Sequence, residues 1–220
     1  MSHVKAVLFD VDGTLVDSND AHAHAWVKAF AESGVAVGFA HVRRCIGMGG
    51  DKLMPEVSGL EEDSPLGATI AKRRGEIFKT EFLPKIQPFR DAGRLVAALK
   101  ALGLTVVAAS SAQKDELKAL LKITGAHSVM DAATSSDDAE ESKPAPDIIQ
   151  AALKRAKAAP AEAIMIGDTP YDVEASRSAG VPIIAFRSGG WSDAALAGAI
   201  AIYDGPWDLF QLPPLRQRRA

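Results

Sequence analysis

An apolar run near the N-terminus, VKAVLF from Val4 to Phe9, leads directly into the polar segment DVDGTLVDS, Asp10 to Ser18. A largely apolar run of this length is typical of a strand that is buried on both faces of a parallel sheet. Asp10 and Asp12 therefore follow the end of a core strand, where carboxylates are costly unless a cation or hydrogen bonds compensate their charge. Open α/β sheets bind ligands at the carboxyl ends of their strands, which favours a cation site here, although Asp and Gly are also ordinary turn residues.

Length and composition exclude several classes of protein. A chain of 220 residues can form one large α/β domain or a core domain that carries a smaller insert. Its net charge of −3, with acids and bases interspersed, argues against a nucleic-acid surface. Cys45 is the single cysteine, which excludes an intrachain disulfide and a cysteine-based metal site. Because no apolar stretch is long enough for a signal peptide or a membrane span, we expect a cytoplasmic protein that contacts neither membrane nor nucleic acid.

Strand patterns alternate with helical patterns in most of the chain. Alternation of this kind predicts a parallel sheet with right-handed crossovers, a Rossmann-like α/β core with helices on both faces. Helices are predicted at Asp91–Leu102 and Pro170–Ala179. Strands are predicted at Lys5–Phe9, Leu104–Ala109, within Ser128–Thr134, at Ala163–Ile166 and Val181–Phe186, with an edge strand at Ile200–Tyr203.

The stretch between the first and second strands has helical spacing and almost no strand signal. Trp26 and Phe30 are four residues apart and predict one apolar helical face, while several glycines near Gly49 interrupt the pattern. We therefore predict a core domain of residues 1–18 and 85–220 and an inserted α-helical cap domain of residues 19–84. Two linkers between a core and a cap allow hinge closure over a site at the strand ends.

Three further polar clusters follow predicted strands or precede predicted helices. Ser110 and Ser111 end the strand LTVVAA, Lys143 precedes Pro144 in ESKPAPD, and Asp168 and Asp172 lie in GDTPYD. Each has a plain structural interpretation: Ser111 as a helix cap, Lys143 as a loop cation with Pro144 in the first helical turn, and Asp172 in a capping box. Because all of these residues occur in this order along the chain, each at the end of a predicted strand, we interpret them as parts of one site.

The order of these motifs resembles that of the haloacid-dehalogenase-like hydrolase superfamily: DxDG[TV], then Ser or Thr, then Lys, then GDxxxD. The position of the insert is similar to that in the helical-cap branch, which holds phosphoglycolate-phosphatase-like enzymes, sugar-phosphate phosphatases, β-phosphoglucomutase and haloacid dehalogenases. The resemblance covers nearly the whole core. It implies a hydrolase with a Rossmann-like core and a helical cap.

The resemblance also implies a role for each acidic residue. Asp10 is the nucleophile that forms an aspartyl-phosphate, and Asp12 is the general acid that becomes a general base. Mg²⁺ is held by Asp10, by the backbone carbonyl of Asp12 and by Asp168, an all-oxygen set that this cation prefers. Asp172 contributes through water or by orienting its neighbours.

The same resemblance implies a phosphate site. Ser110 donates a hydrogen bond to a phosphoryl oxygen, and Lys143 offsets the charge of the phosphate and of Asp10. Backbone amides at Val11, Asp12 and Ser111 complete an anion cradle.

Members of the branch differ in what surrounds these residues. A dehalogenase needs neither a metal nor a second Asp in the first motif, so the acidic set argues against it. The stretch DVDGTLVDSNDAHAHAW is similar to that of β-phosphoglucomutase, including His22 at the hinge. Residues 47–51 contain no clear match for the cap arginine of that mutase, which argues against a mutase. Candidate specificity residues in the cap are His22, Arg43, Arg44 and Lys52, although a solvated helical face explains the three cations equally well.

The expected function is that of a Mg²⁺-dependent phosphomonoesterase that acts on a small phosphorylated metabolite such as phosphoglycolate or a sugar phosphate. We expect a monomer or a weak homodimer. The alternative enzyme activity is that of a phosphosugar mutase similar to β-phosphoglucomutase. A catalytically silent phosphate-sensing or partner-binding module is the alternative from another class, but such a module has no need of Asp12.

Overall fold

The computed structural model describes residues 4–212, so residues 1–3 and 213–220 of the predicted core domain lie outside the described part. Six parallel strands form one sheet in the order β3-β2-β1-β4-β5-β6. The strands are β1 (Ala6–Phe9), β2 (Thr105–Ala109), β3 (Ala132–Thr134), β4 (Ala163–Gly167), β5 (Ile183–Phe186) and β6 (Ala201–Tyr203). Each predicted strand is present, including the edge strand β6.

The helices that connect these strands cover both faces of the sheet. They are α5 (Ala92–Ala101), α6 (Lys114–Ile123), α7 (Asp147–Ala156), α8 (Pro170–Ala179) and the short α9 (Pro206–Leu209). Side chains of the central strand alternate between two hydrophobic clusters: Leu8 packs with α7 residues such as Ile149, and Phe9 packs with α5 residues such as Leu95. The predicted α/β fold class is therefore confirmed.

The segment between β1 and β2 is helical. It holds α1 (Asn19–Glu32), α2 (Phe39–Cys45), α3 (Gly50–Ser58) and α4 (Pro65–Ile77), followed by a π-helical turn (Phe78–Phe82) and a 3-10 turn (Leu83–Lys85). Trp26 and Phe30 are buried in one hydrophobic cluster with Ile70 and Phe78, and Leu120 of α6 belongs to the same cluster. The inserted helices thus share apolar contacts with the edge of the sheet domain.

One local prediction is wrong. Pro144 does not lie in the first turn of a helix, because α7 begins only at Asp147. Residues 142–145 instead form a turn, in which the Ala145 N–H donates to the Ser142 carbonyl at 3.0 Å. The Lys143–Pro144 peptide bond within this turn is cis. This turn directs Lys143 back under the strand ends.

Within residues 4–212, none of the helices combines the length and apolar character needed to cross a lipid bilayer.

Candidate active site

Three adjacent strands deliver polar side chains to one edge of the sheet. Asp10 follows β1, Ser110 follows β2 and Asp168 follows β4. Phe9 is in register with Ala108 on one side and with Ile166 on the other, so the three strands end at nearly the same level. The parallel topology therefore brings together residues that are far apart in the sequence.

Lys143 lies at the centre of this edge. Its side chain is 1% exposed, and its Nζ lies 2.5 Å from Asp10 Oδ1 and 2.8 Å from Asp172 Oδ1. Nζ also donates to the carbonyl of Ala109 at 3.0 Å. Burial alone lowers the pKa of Lys143, but the charges of Asp10 and Asp172 outweigh it and hold the pKa above its usual range. The ammonium group is therefore charged and compensates two carboxylates at once.

Asp172 has two structural roles, one for each carboxylate oxygen. Oδ2 accepts from the Thr169 backbone N–H at 3.0 Å and from the Thr169 hydroxyl at 2.7 Å, which completes the capping box of α8. Oδ1 faces Lys143. The same Asp172 side chain therefore caps α8 through Oδ2 and faces Lys143 through Oδ1.

Asp168 is fully buried between neutral donors. Its Oδ1 accepts from the Thr14 hydroxyl at 2.8 Å, and its Oδ2 accepts from the Asn19 side-chain amide at 3.0 Å. Gly189 makes room for the carboxylate, because a Cβ there would lie 1.9 Å from Asp168 Oδ2. Sequence reasoning did not single out Thr14, Asn19 or Gly189, although Thr14 belongs to the DGT turn.

The carboxylates of Asp10, Asp168 and Asp172 can place one oxygen each within 4.8 Å of one another. Burial raises the pKa of Asp10, the Lys143 charge lowers it, and Asp172 raises it again, with a result of about 7. Burial and the neighbouring carboxylates also raise the pKa of Asp168 well above its usual range. Three buried carboxylates thus lie close together, and the one ammonium group pairs with only two of them. This all-oxygen donor set with excess negative charge fits a hard divalent cation.

Asp12 turns away from that cluster. Its Oδ1 accepts a hydrogen bond from the Ser18 hydroxyl and lies 2.7 Å from His22 Nε2. Burial alone raises the pKa of Asp12, but the charge of His22 and the hydrogen bonds from His22 and Ser18 outweigh it and lower the pKa. The carboxylate form of Asp12 is therefore favoured in this arrangement of contacts.

His22 is held by residues from two other helices. Its ring stacks on Phe78 with centroids 4.0 Å apart and planes at 9°. Its Nδ1 lies 3.1 Å from Arg74 Nη2, and Arg74 Nη1 donates to Glu116 Oε2 at 2.9 Å. A chain of contacts thus runs from Glu116 in α6 through Arg74 in α4 to Asp12. Sequence reasoning missed Arg74 and Glu116, which carry no local motif.

A cavity of about 340 Å³ lies between the sheet edge and the inserted helices. Asp10, Asp12, Ser110 and Ser111 line its floor. Within residues 4–212, the backbone N–H groups of Val11, Asp12 and Ser111 have no hydrogen-bond partner, and the buried Ser111 hydroxyl has none either. Unpaired donors beside a buried ammonium group form a pocket that suits an anion.

The structure brings His22 to the cavity but not the three predicted cap cations. Arg43 pairs with Asp20 at 2.6 Å and donates to the Gly189 carbonyl at 2.7 Å. Lys52 pairs with Glu141 at 2.6 Å. Arg44 is exposed. Partners on the sheet domain, the Gly189 carbonyl for Arg43 and the Glu141 carboxylate for Lys52, hold these two side chains at the rim of the cavity.

Comparisons with known proteins agree with this geometry. A family model described as haloacid dehalogenase-like hydrolase matches residues 7–186. The phosphoglycolate phosphatase of Rhodospirillum rubrum is 31% identical over 225 residues, which cover 95% of this chain and 92% of that enzyme. Protein SUPPRESSOR OF QUENCHING 1, chloroplastic, of Arabidopsis thaliana is 35% identical over 189 residues, 84% of this chain. The chain spans only 18% of the length of the Arabidopsis protein.

Among solved structures, a candidate β-phosphoglucomutase from Bacteroides vulgatus superimposes with a TM-score of 0.85 at 26% identity. The superposition covers 94% of this chain and 86% of that one.

Proposed function

The chain belongs to the haloacid dehalogenase-like hydrolase family and is a phosphatase, and from that premise we propose that it is a Mg²⁺-dependent phosphomonoesterase of small metabolites. The observation that carries the proposal is the pairing of Asp10 with the buried Lys143 directly beside unpaired N–H donors on the cavity floor. A nucleophilic carboxylate and an anion cradle are the two parts that phosphoryl transfer to an aspartate needs.

In this proposal Asp10 attacks the phosphorus and forms an aspartyl-phosphate while the ester oxygen departs. Ser110, Lys143 and the N–H groups of Val11, Asp12 and Ser111 bind the phosphoryl oxygens. Lys143 already lies 2.5 Å from Asp10 Oδ1, so its charge acts on both the nucleophile and the incoming phosphate. Positioning and charge stabilisation supply most of the rate in such reactions.

Asp12 moves the protons in both steps. In its protonated form it donates a proton to the departing alkoxide, and the resulting carboxylate later accepts one from the water that attacks the aspartyl-phosphate. His22 and Ser18 hold its carboxylate in place through hydrogen bonds to Oδ1. The proposal assigns them an orienting role, because both contact Asp12 rather than the reacting atoms.

A Mg²⁺ ion would be held by Asp10, by Asp168 and by the backbone carbonyl of Asp12. The support for this is the surplus of buried carboxylates, which one Lys143 compensates only in part. When bound, the ion supplies positive charge that offsets the repulsion between an anionic nucleophile and an anionic phosphate. Asp172 would contribute through water or by orienting Lys143, since its Oδ1 lies 2.8 Å from Lys143 Nζ and its Oδ2 is held by Thr169.

We also propose that residues 19–84 act as a cap over this site. Residues of α1, α3 and α4 line the cavity from the side of the insert. The segment near Gly49 contacts the loop just before Lys143, where the Gly49 N–H donates to Ser142 Oγ at 3.0 Å. A cap of this kind excludes bulk water during phosphoryl transfer and opens to release products. The cavity volume suits a small metabolite, such as phosphoglycolate or a sugar phosphate, rather than a macromolecule.

A phosphosugar mutase is the second candidate. The observation that favours it is the Asp12–His22 contact, 2.7 Å, at the hinge of the cap, together with the structural similarity to the candidate mutase from Bacteroides vulgatus. A mutase would have to protect the aspartyl-phosphate from water until a second hydroxyl group attacks it.

The test is release of phosphate from p-nitrophenyl phosphate with and without Mg²⁺, by the wild type and by Asp10→Asn. We expect Mg²⁺-dependent turnover that Asp10→Asn abolishes, with the fold of the variant checked by thermal unfolding. Turnover by the variant within tenfold of the wild type would remove Asp10 from the nucleophile role. To separate the mutase, β-glucose 1-phosphate is supplied: a phosphatase yields free phosphate, whereas a mutase yields glucose 6-phosphate.

A further inference from the structure

The wall of the cavity that faces away from Asp10 is acidic. We call this the distal wall; its charged side chains are those of Asp51, Glu62, Arg74, Glu116 and Glu140. Within residues 4–212, Arg74 is the only Lys or Arg that lines the cavity. Four carboxylates thus face one guanidinium group, and that group is already engaged by Glu116 and His22.

Glu116 offers an acceptor that the protein leaves unused. Its Oε2 accepts from Arg74, but its Oε1 is buried and has no hydrogen-bond partner among the described residues. His22 Nδ1 lies 4.0 Å from this oxygen, which is too long for a hydrogen bond. The Glu116 side chain is only 11% exposed, so leaving this oxygen unpaired is costly unless a ligand supplies a donor. A ligand carboxylate could not do so, whereas an N–H or O–H group could.

Glu62 adds a second uncompensated charge. No hydrogen bond or ion pair of its carboxylate is found within residues 4–212. Its carboxylate packs against Gly50, where a Cβ would lie 2.3 Å from Glu62 Oε1. Burial is the main cause that raises the pKa of Glu62, the charge of Asp51 raises it further, and the charge of Arg74 offsets part of the rise.

Arg74 has a hydrogen-bond donor that is also left unused. Its buried Nε–H has no partner among the described residues, while its guanidinium lies over the rings of Trp26 and Phe78 at 5.4 and 5.5 Å. The Nε–H can donate one hydrogen bond to a ligand oxygen. The guanidinium group of Arg74, however, is already paired with the Glu116 carboxylate. It therefore offers no unpaired positive charge to a second anionic group on the substrate.

We propose that the distal wall selects phosphate monoesters whose alcohol portion ends in an ammonium group, and that it discriminates against a second anionic group. Glu62 and Glu116 would receive the ammonium N–H groups. This inference rests on the proposed function, because it takes the phosphate to lie on the cavity floor beside Asp10. It narrows the substrate class from small phosphorylated metabolites to amino-alcohol or amino-sugar phosphates, and it disfavours phosphoglycolate, which carries a second anionic group.

The test uses three esters that differ only in the end group: phosphoethanolamine with an ammonium group, 2-hydroxyethyl phosphate with a hydroxyl and 2-phosphoglycolate with a carboxylate. With wild-type protein and Mg²⁺, kcat/KM should fall in that order, by about tenfold at each step, the size expected for one charge pair in a partly solvated cavity. Equal or faster hydrolysis of 2-phosphoglycolate than of 2-hydroxyethyl phosphate would overturn the proposal. Because this comparison of esters uses only the wild-type protein, its result does not depend on whether any variant folds.

A charge-neutral variant identifies the residue responsible. Glu62→Gln should reduce the ratio of kcat/KM between phosphoethanolamine and 2-phosphoglycolate by about tenfold. The matched control is Glu61→Gln, which removes the same charge from an exposed neighbour that does not line the cavity, and should leave the ratio within twofold. An unchanged ratio in Glu62→Gln would contradict the assignment. Absence of phosphate release from all three esters and from p-nitrophenyl phosphate would instead refute the proposed function itself.

Discussion

The floor of the cavity and its distal wall differ in how far their carboxylates are paired with hydrogen-bond donors or cations. On the floor, Asp10 and Asp172 share Lys143, and Asp168 accepts from Thr14 and Asn19. On the distal wall, Glu62 has no partner within residues 4–212, and the Oε1 atom of Glu116 is unpaired. Each carboxylate on the floor therefore has a donor at hydrogen-bond distance, whereas part of the charge on the wall is uncompensated.

The contrast follows from burial. Lys143, Asp168 and Asp172 are each at most 1% exposed, and an unpaired charge at such depth would cost several kcal/mol of folding free energy. Glu62 is only half-buried, so solvent can screen its charge when the site is empty. The hydrogen bonds and the Lys143 pairs of the floor must therefore form on folding, and a cation would offset the charge that remains there, while the wall can be completed by a substrate. Reaction chemistry belongs to the first region and substrate selection to the second.

Asp12→Asn gives the largest expected effect and tests whether the floor performs the proton transfers. We expect kcat for an alkyl phosphate to fall by about 10²–10⁴-fold, because the departing alkoxide loses its proton donor. The loss should be smaller for p-nitrophenyl phosphate, whose leaving group is a weak base and departs without a proton. Asn retains an oxygen that accepts from Ser18, so thermal unfolding should stay close to that of the wild type. Equal losses with both esters would contradict the acid role.

Lys143→Met tests the compensation of charge on the floor directly. We expect the free energy of unfolding to fall by about 3–5 kcal/mol, since two buried carboxylates lose their shared cation. Urea denaturation without divalent cations measures the change, and adding Asp10→Asn to Lys143→Met should recover part of it.

The matched control for that variant is Lys52→Met, which removes an exposed lysine from the rim. Its ion pair with Glu141 is solvated, so the urea midpoint should not move measurably. A similar loss in both variants would mean that burial does not distinguish the two regions.

Mg²⁺ should stabilise the protein by an amount that grows with pH. Burial raises the pKa of Asp10 from 3.8 to about 7, so between these values the folded protein holds a proton that the unfolded chain has lost. Stability without a divalent cation therefore falls as pH rises through this window. Bound Mg²⁺ replaces that proton.

The measurement is the unfolding temperature with and without MgCl₂ at pH 5 and pH 8. At pH 8 and a concentration of 100 times Kd, the gain corresponds to about 2.7 kcal/mol, and it should be smaller at pH 5. Asp168→Asn should reduce the gain at pH 8. The same gain at both pH values would show that the cation does not compete with the proton on Asp10.

The floor was predictable from the sequence because its geometry follows from the topology of the sheet. Once VKAVLF and LTVVAA are assigned to adjacent parallel strands, Asp10 and Ser110 must meet at one edge. The side chains that surround Asp168 were not predictable. Asn19 contacts it across 149 residues of sequence, and Gly189 is defined only by the space that it leaves.

The distal wall was not predictable, for a different physical reason. Arg74 and Glu116 are 42 residues apart and meet because α4 packs near α6, a contact without a local motif. Arg43, Arg44 and Lys52 lie close to the glycine-rich segment in sequence, yet partners on the sheet domain hold Arg43 and Lys52 at the rim. Proximity along a chain of helices says little about which face reaches a cavity, since that depends on packing angles.

Ser142→Ala gives the smallest expected effect and tests how the two regions are joined. The Ser142 hydroxyl donates to Asp51 and accepts from the Gly49 N–H at 3.0 Å, so it ties the wall to the loop that carries Lys143. Losing these bonds should weaken closure by about 1 kcal/mol, which corresponds to a rise in KM of about fivefold with kcat within twofold. Thr80→Ala is the control, because the Thr80 hydroxyl bonds only the Glu76 carbonyl on the exposed side of the insert. A fall in kcat as large as the rise in KM would mean that the loop displaces Lys143. A change in KM alone would mean that the wall can shift while the floor keeps its charges paired.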